Sequence, residues 1–223
     1  RCGDLHPQGR GVIESQLPHS ETRDYEAREQ PINAGSYGVV DSSTRLANLS
    51  NFSLQCWIWP TTPGKGEQLL MGCWNLPRRS GYALGLDEVG AVMLKLGNGA
   101  CERVTTGVAL PIREWALVGA SYDATSGDVR VWQTLYPAYV AEKRFVDTRQ
   151  KVSIPPAVRG EPFLIGAAFV SGDERGLVTG EHYNGKIEAP QVFGQVVDFG
   201  ATSQSKSFAH TDESLLAQDR KSV

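Results

Sequence analysis

Phe52-Ser-Leu-Gln-Cys-Trp-Ile-Trp-Pro60 alternates in character residue by residue. Phe52, Leu54, Cys56 and Ile58 share one face, and Ser53, Gln55, Trp57 and Trp59 share the other, the period of a strand with one apolar side. Pro60 has no amide hydrogen to give to a neighbouring strand and ends the run; residues 61–66 supply turn chemistry. Three more segments read as strands. In Glu114-Trp-Ala-Leu-Val-Gly-Ala-Ser-Tyr-Asp123, Trp115, Leu117, Gly119 and Ser121 alternate with Ala116, Val118, Ala120 and Tyr122. Both sets look buried, which predicts a central strand. Gly127-Asp-Val-Arg-Val-Trp132 returns antiparallel to it after a turn at residues 123–127. His182-Tyr-Asn-Gly-Lys-Ile-Glu-Ala-Pro-Gln-Val-Phe193 reads as a late strand from Tyr183 onward.

The rest of the chain follows the same rhythm. Residues 35–41 form a short first strand and residues 68–73 another. Residues 82–86 and 91–96 predict a hairpin across Asp87-Glu-Val-Gly90, and Asn98-Gly99 marks a further turn. Residues 139–145 and 163–168 read as strands. Residues 151–159 hold a Pro-Pro pair and residues 171–180 are rich in glycine and charge, so both are expected to be loops. Strands this closely spaced leave no room for crossover helices, so parallel pairing is disfavoured. The expectation is an all-β jelly-roll sandwich of two antiparallel sheets. A short C-terminal helix is predicted over residues 211–221, where Thr211 can cap, acids open the first turn and bases close the last. Three regions result. Residues 1–34 are a polar wrapping segment, with residues 21–29 expected to be mobile; residues 35–195 are the jelly roll; residues 196–223 are a tail with the helix.

Composition bounds the function. The 223 residues suit one large sandwich, and 40% hydrophobic content can fill its core. A net charge of -3 gives no electrostatic reason to expect nucleic acid or an anionic membrane as partner. The longest apolar runs are too short to cross a bilayer. Arg1-Cys-Gly-Asp-Leu-His-Pro7 has no initiator methionine and no charged leader before an apolar stretch. The chain is therefore expected to be a domain of a longer, cytoplasmic protein, against the alternative of a mature form after processing. Cys2, Cys56, Cys73 and Cys101 are not spaced as Cys-x-x-Cys. Free thiols in a reducing compartment are expected, against the alternative of a Cys73–Cys101 disulfide.

Catalytic chemistry finds little purchase. His6, His19, His182 and His210 lie in separate segments, and His182 is the one singled out for testing. Asp87, Glu88, Glu181 and Glu188 do not form the alternating carboxylate pattern that a glucanase places on one strand face. There is no Gly-x-Ser-x-Gly elbow and no phosphate-cradling loop. Asp123, Asp128 and Asn184 are calcium candidates by chain position only; the two aspartates read better as turn residues. No catalytic residue and no metal ligand is assigned. Trp57 and Trp59 are the ligand or interface candidates. Their indoles share the face opposite the aliphatic one, suited either to a covering surface or to stacking on sugar rings.

The combination of Phe-x-Leu-x-Cys-Trp-Ile-x-Pro, the Trp115–Trp132 hairpin and Tyr183-Asn-Gly-Lys-Ile-Glu188 resembles laminin-G-like, concanavalin A-like jelly rolls over residues 35–195. A narrower resemblance rests on Cys2-Gly-Asp-Leu-His-Pro-Gln-Gly9, Gly35-Ser-Tyr37, Trp59-Pro-Thr-Thr-Pro-Gly-Lys-Gly66 and His182-Tyr-Asn-Gly-Lys-Ile-Glu-Ala-Pro190. These look like the jelly-roll region of the large (β) subunit of the N,N-dimethylformamidase family. The resemblance implies a non-catalytic structural and interaction module of an amidohydrolase acting on N-substituted formamides. It places iron in a separate catalytic domain of the parent, with no cofactor in this chain. The partners it implies are that catalytic domain, a small subunit or other large subunits. The alternative is a carbohydrate-binding lectin-like domain, with Trp57 and Trp59 as its platform.

Overall fold

The computed structural model describes residues 36–40, 44–47, 49–136, 144–173 and 176–197, together with four strands nearer the termini. In chain order the strands are β1 (Cys2–Gly3), β2 (Pro7–Val12), β3 (Glu29–Asn33), β4 (Tyr37–Val40), β5 (Phe52–Pro60), β6 (Gln68–Asn75), β7 (Ser80–Leu86), β8 (Ala91–Asn98) and β9 (Cys101–Ala109). They continue as β10 (Trp115–Asp123), β11 (Asp128–Tyr136), β12 (Arg144–Lys151), β13 (Phe163–Ile165), β14 (Ala168–Asp173), β15 (Gly176–Gly180), β16 (Gly185–Phe193) and β17 (Leu215–Gln218). A single helical turn, α1 (Thr44–Ala47), precedes β5.

The strands build two large antiparallel sheets. The larger runs β1-β4-β13-β6-β7-β8-β9, with the β14–β15 hairpin attached to β6 through one parallel bridge. The smaller runs β12-β11-β10-β5-β16-β17, and β2 and β3 pair separately. This is the expected sandwich, and β10 is central, paired with β5 on one side and β11 on the other. The apolar faces meet as the alternation requires. Phe52, Leu54, Cys56 and Ile58 of β5 join Ala116, Val118, Ala120 and Tyr122 of β10 against Leu84, Leu86, Val92 and Leu94 of the facing sheet. Phe52 sits at the centre, its ring 4.6 Å from that of Tyr82 and 5.6 Å from that of Tyr122. Tyr82 spans the core and donates its hydroxyl to Leu46 O of α1 at 2.7 Å, so burying the phenol leaves no donor unmet.

The structure departs from the local readings at several places. Leu215–Gln218 is a strand that pairs with Gln191–Phe193 of β16, not part of a helix. An edge strand with free backbone groups captures Leu215 and Leu216 more firmly than a marginal short helix holds itself; the rest of residues 211–221 lies outside the described residues, as do residues 21–28. Residues 171–173 and 176–180 are strand rather than loop, because β14 and β15 pair there. Of the strand expected at residues 139–145, residues 139–143 lie outside the described residues and residues 144 and 145 open a strand that runs on to Lys151, a polar edge strand whose charged residues mask its apolar period. Cys101–Ala109 went unread because only Val104 and Thr106 of its residues are buried. Among the described residues no helix is long and apolar enough to cross a membrane.

Candidate functional site

Trp57 and Trp59 stand on the outer face of the smaller sheet, as the strand period predicts. Trp57 lies opposite Leu117 on one side and Glu188 on the other; Trp59 lies opposite Lys186. Register puts Trp115 and Tyr136 on the same face, paired with each other. Phe145, 42% exposed, joins them opposite Thr134. Both candidate indoles are half-buried and already engaged. Trp57 packs against Tyr136 with centroids 4.7 Å apart and planes tilted by 55°. The Lys186 ammonium lies 4.9 Å from the centroid of the Trp59 ring. The two rings thus lie in one aromatic patch, with Tyr136 against Trp57 and Lys186 over Trp59.

The other half of this face is closed. Ser53 Oγ donates to Gln195 O at 2.9 Å and accepts from Val197 N at 2.9 Å, clamping residues 195–197 across the sheet. Trp132, Phe193 and Val197 pack together there. Arg130 stacks over Trp132 and Phe145 and pairs with Asp147 at 2.9 Å. A cavity of about 380 Å³ beside this clamp is lined by Ser121, Asp123, Asp128, Arg130 and Arg149 among others.

A polar constellation that sequence reasoning missed occupies the outer face of the larger sheet. Lys95 of β8 is buried, its ammonium bound by the carboxylates of Glu67 and, at 3.5 Å, Glu181. It also lies 5.0 Å from the centroid of Trp74. Arg103 of β9 takes Glu67 at 2.9 Å and Glu88 at 2.7 Å. Burial pushes the Glu181 carboxyl above the ordinary carboxylate range, with Lys95 opposing and Glu67 adding to the rise. No sequence pattern joins residues 67, 95 and 181; only strand pairing brings them together.

The remaining candidates resolve into structural roles. Asp87 accepts from Val89 N, Ala91 N and Thr105 Oγ1, which builds the β7–β8 turn. Asp123 accepts from Thr125 N at the Phe52 end of β5, while Asn184 donates to Thr62 Oγ1 at the Pro60 end. The three calcium candidates thus lie at opposite ends of a nine-residue strand. His182 shares a hydrogen bond with Thr179 Oγ1 at 2.9 Å and faces Tyr37; burial lowers its pKa, with Lys65 adding to the effect. Among the described residues no three His, Cys, Asp or Glu side chains converge to hold a metal.

The thiols differ sharply in access. Cys56 and Cys73 are buried and Cys101 is exposed, all three free. Burial drives the Cys56 thiol far above its ordinary value and Cys73 to about 12. Native alkylation with iodoacetamide at neutral pH is accordingly expected to mark Cys101 and to spare Cys56 and Cys73. Peptide mass mapping reads this out, and rapid labelling of Cys73 would contradict the packing of its sheet.

The two sheets, their shared core and their order define a laminin-G-like, concanavalin A-like jelly roll. At the level of fold alone, the carbohydrate-binding module CBM40 of the Ruminococcus gnavus IT-sialidase, solved with alpha2,3 sialyllactose, superposes with a TM-score of 0.52 at 15% identity, covering 70% of this chain and 81% of that one. The LG1-3 region of the laminin alpha2 chain gives a TM-score of 0.51 at 11% identity, over 70% of this chain and 29% of that one. In sequence the chain is similar to the N,N-dimethylformamidase beta subunit of an Alcaligenes species, 28% identical over 205 residues, covering 86% of this chain and 27% of that protein. The beta subunit of the same name from Paracoccus aminophilus is 27% identical over 208 residues, covering 87% of this chain and 27% of that protein. The chain therefore spans about a quarter of the length of these curated relatives. No protein-family model matches it.

Proposed function

We propose that the chain acts as a non-catalytic structural and interaction module within an N,N-dimethylformamidase-like amidohydrolase. The observation that carries this reading is the similarity to two beta subunits over most of this chain and a minor part of theirs. Amide hydrolysis, and the iron implied for it, would belong to other parts of the longer protein. The described residues of this chain offer no converging ligand set for a metal. The aromatic patch around Trp57, Trp59, Trp115 and Phe145 is the surface we assign to packing against the catalytic domain, a small subunit or another large subunit. Half-buried indoles with a polar margin at Lys186 and Glu188 suit the core of such an interface. A reducing, cytoplasmic setting is part of the same proposal.

The direct test is formate release from an N-substituted formamide. The chain with added iron is expected to be inactive, and its full-length parent active. Turnover by the chain alone would overturn the reading. Replacing Trp59 by Ala in the parent is expected to weaken subunit or domain association by about tenfold or more, while leaving the circular dichroism of the isolated chain unchanged. Unaltered association, read by analytical ultracentrifugation, would remove this face from the interface.

Carbohydrate binding is the second reading, and the half-exposure of Trp57 and Trp59 favours it. A sugar ring stacking on Trp59 must displace Lys186, so binding should be weak and should strengthen in Lys186→Ala. Saturable glycan binding abolished by Trp59→Ala would move the assignment to this class.

A further inference from the structure

Three ionisable side chains from distant parts of the chain meet on the outer face of the larger sheet. Lys95 comes from β8, Glu67 from the residue before β6, and Glu181 from the residue after β15. Their side chains are 7%, 20% and 17% exposed, so solvent screens them little. The charges do not balance within the trio: one ammonium faces two carboxylates. Arg103 supplements Glu67 and itself extends to Glu88. That leaves Glu181, with its longer 3.5 Å contact, as the carboxylate with the weaker compensation. It is the group for which a bound proton relieves most, and the protonated carboxyl has an acceptor beside it in Glu67.

Glu181 also occupies a strategic place in the chain. It joins the β14–β15 hairpin to the approach of β16. Its backbone is held in the left-handed region at φ 47°, which costs a residue with a Cβ free energy. Its carbonyl accepts from Leu69 N at 2.8 Å, and the next residue, His182, bridges to Leu69. Elsewhere the hairpin's ladder to the sheet is thin: one bridge, Phe169 to Asn75, beside the Leu76 N to Phe169 O bond of 2.9 Å. Apolar packing of Ala168, Phe169 and Leu177 holds the body of the hairpin, and the backbone bonds to Leu69 hold its foot, where the charged side chains meet.

We propose that Glu67, Lys95 and Glu181 form a proton-operated clasp that fastens the foot of the β14–β15 hairpin to the larger sheet when Glu181 is protonated and loosens it when that proton is lost. Opening returns Glu181 to water, where it holds its proton less firmly than in the closed state. The closed state therefore binds more protons, and rising pH favours opening. The charged groups facing the clasp are Lys95 from β8, Arg103 from β9, Glu67 before β6, Glu88 in the β7–β8 turn, and His182 with Lys65 beside it. His182 works with the opposite sign. Burial lowers its pKa, so exposure of its ring would be favoured as pH falls. Removing Glu181's charge separates the two contributions.

The test is hydrogen–deuterium exchange of the hairpin amides in this chain and in Glu181→Gln, corrected for the intrinsic pH dependence of exchange, from about pH 5 to about pH 8. The ratio of native to Glu181→Gln protection is expected to fall as pH rises. The fall should reach about tenfold for each unit that separates the closed and open pKa values of Glu181. A ratio that is flat or rises with pH overturns the clasp. Should Glu181→Gln fail to fold, a carboxyl carbon-13 titration of the native chain decides: one glutamate must titrate above the ordinary range, and its absence overturns the proposal.

Discussion

Gly119→Ala is expected to lose at least about 3 kcal/mol of stability, the upper range for overpacking a well-filled site. Gly119 sits in the middle of central strand β10, opposite Trp132 on one side and Gln55 on the other. A Cβ built there would overlap the six-membered ring of Trp132 and lie 2.6 Å from the Leu54 carbonyl oxygen. Neither neighbour can move cheaply. Trp132 is 1% exposed and wedged against Phe193 and Val197, and the Leu54 carbonyl belongs to the backbone of β5. The absent side chain is what lets the indole lie flat on the sheet. Urea denaturation followed by circular dichroism measures the loss, and a fall of about 6–12 °C in Tm is the thermal counterpart for a chain of this size. The double variant Gly119→Ala/Trp132→Leu should recover part of the loss, because the ring clash goes and the carbonyl clash stays. A loss below about 1 kcal/mol in Gly119→Ala would mean that the indole does not rest on this strand.

Lys95→Met is the second large effect, with about 3 kcal/mol lost at pH 8. Methionine keeps an unbranched chain of similar length and removes the ammonium from Glu67, Glu181 and the Trp74 ring together. It strands Glu67 and Glu181 together in a site with little access to water. The loss should shrink toward pH 5. A carboxyl whose folded pKa is raised contributes stability that is fully present below its unfolded value and is lost as pH rises through the folded value. Glu181 is already raised by burial in the native protein, and removing Lys95 deletes the influence that opposes that rise. The penalty is therefore greatest above the folded value and least where the carboxyl holds its proton. Denaturant titrations of both proteins at the two pH values read this directly. A destabilisation that is equal at pH 5 and pH 8 would contradict the electrostatic account and assign the loss to packing alone.

These two sites show unequal legibility. The strand around Gly119 could be read directly, because alternation is a local property: residues two apart share a face whatever the rest of the chain does. The same rule placed Phe52, Leu54, Cys56 and Ile58 in the core and Trp57 and Trp59 outside it, and β10 between two neighbours. It faltered where a strand lies at an edge. Cys101–Ala109 and Arg144–Lys151 present mostly solvated side chains, so no apolar period marks them. At Leu215–Gln218 a helical charge pattern lost to the pairing offered by β16.

What the amino-acid order determined by itself is the set of inward faces and the antiparallel sandwich that buries them. Both follow from short-range periodicity and from turns too brief for crossovers. Only the tertiary structure decided that Lys186 covers Trp59, that residues 195–197 close half of the aromatic face, and that Glu67, Lys95 and Glu181 share one buried contact. Those contacts join residues that are remote along the chain, and their energies come from desolvation and charge proximity. Neither exists until the sheets have paired in register.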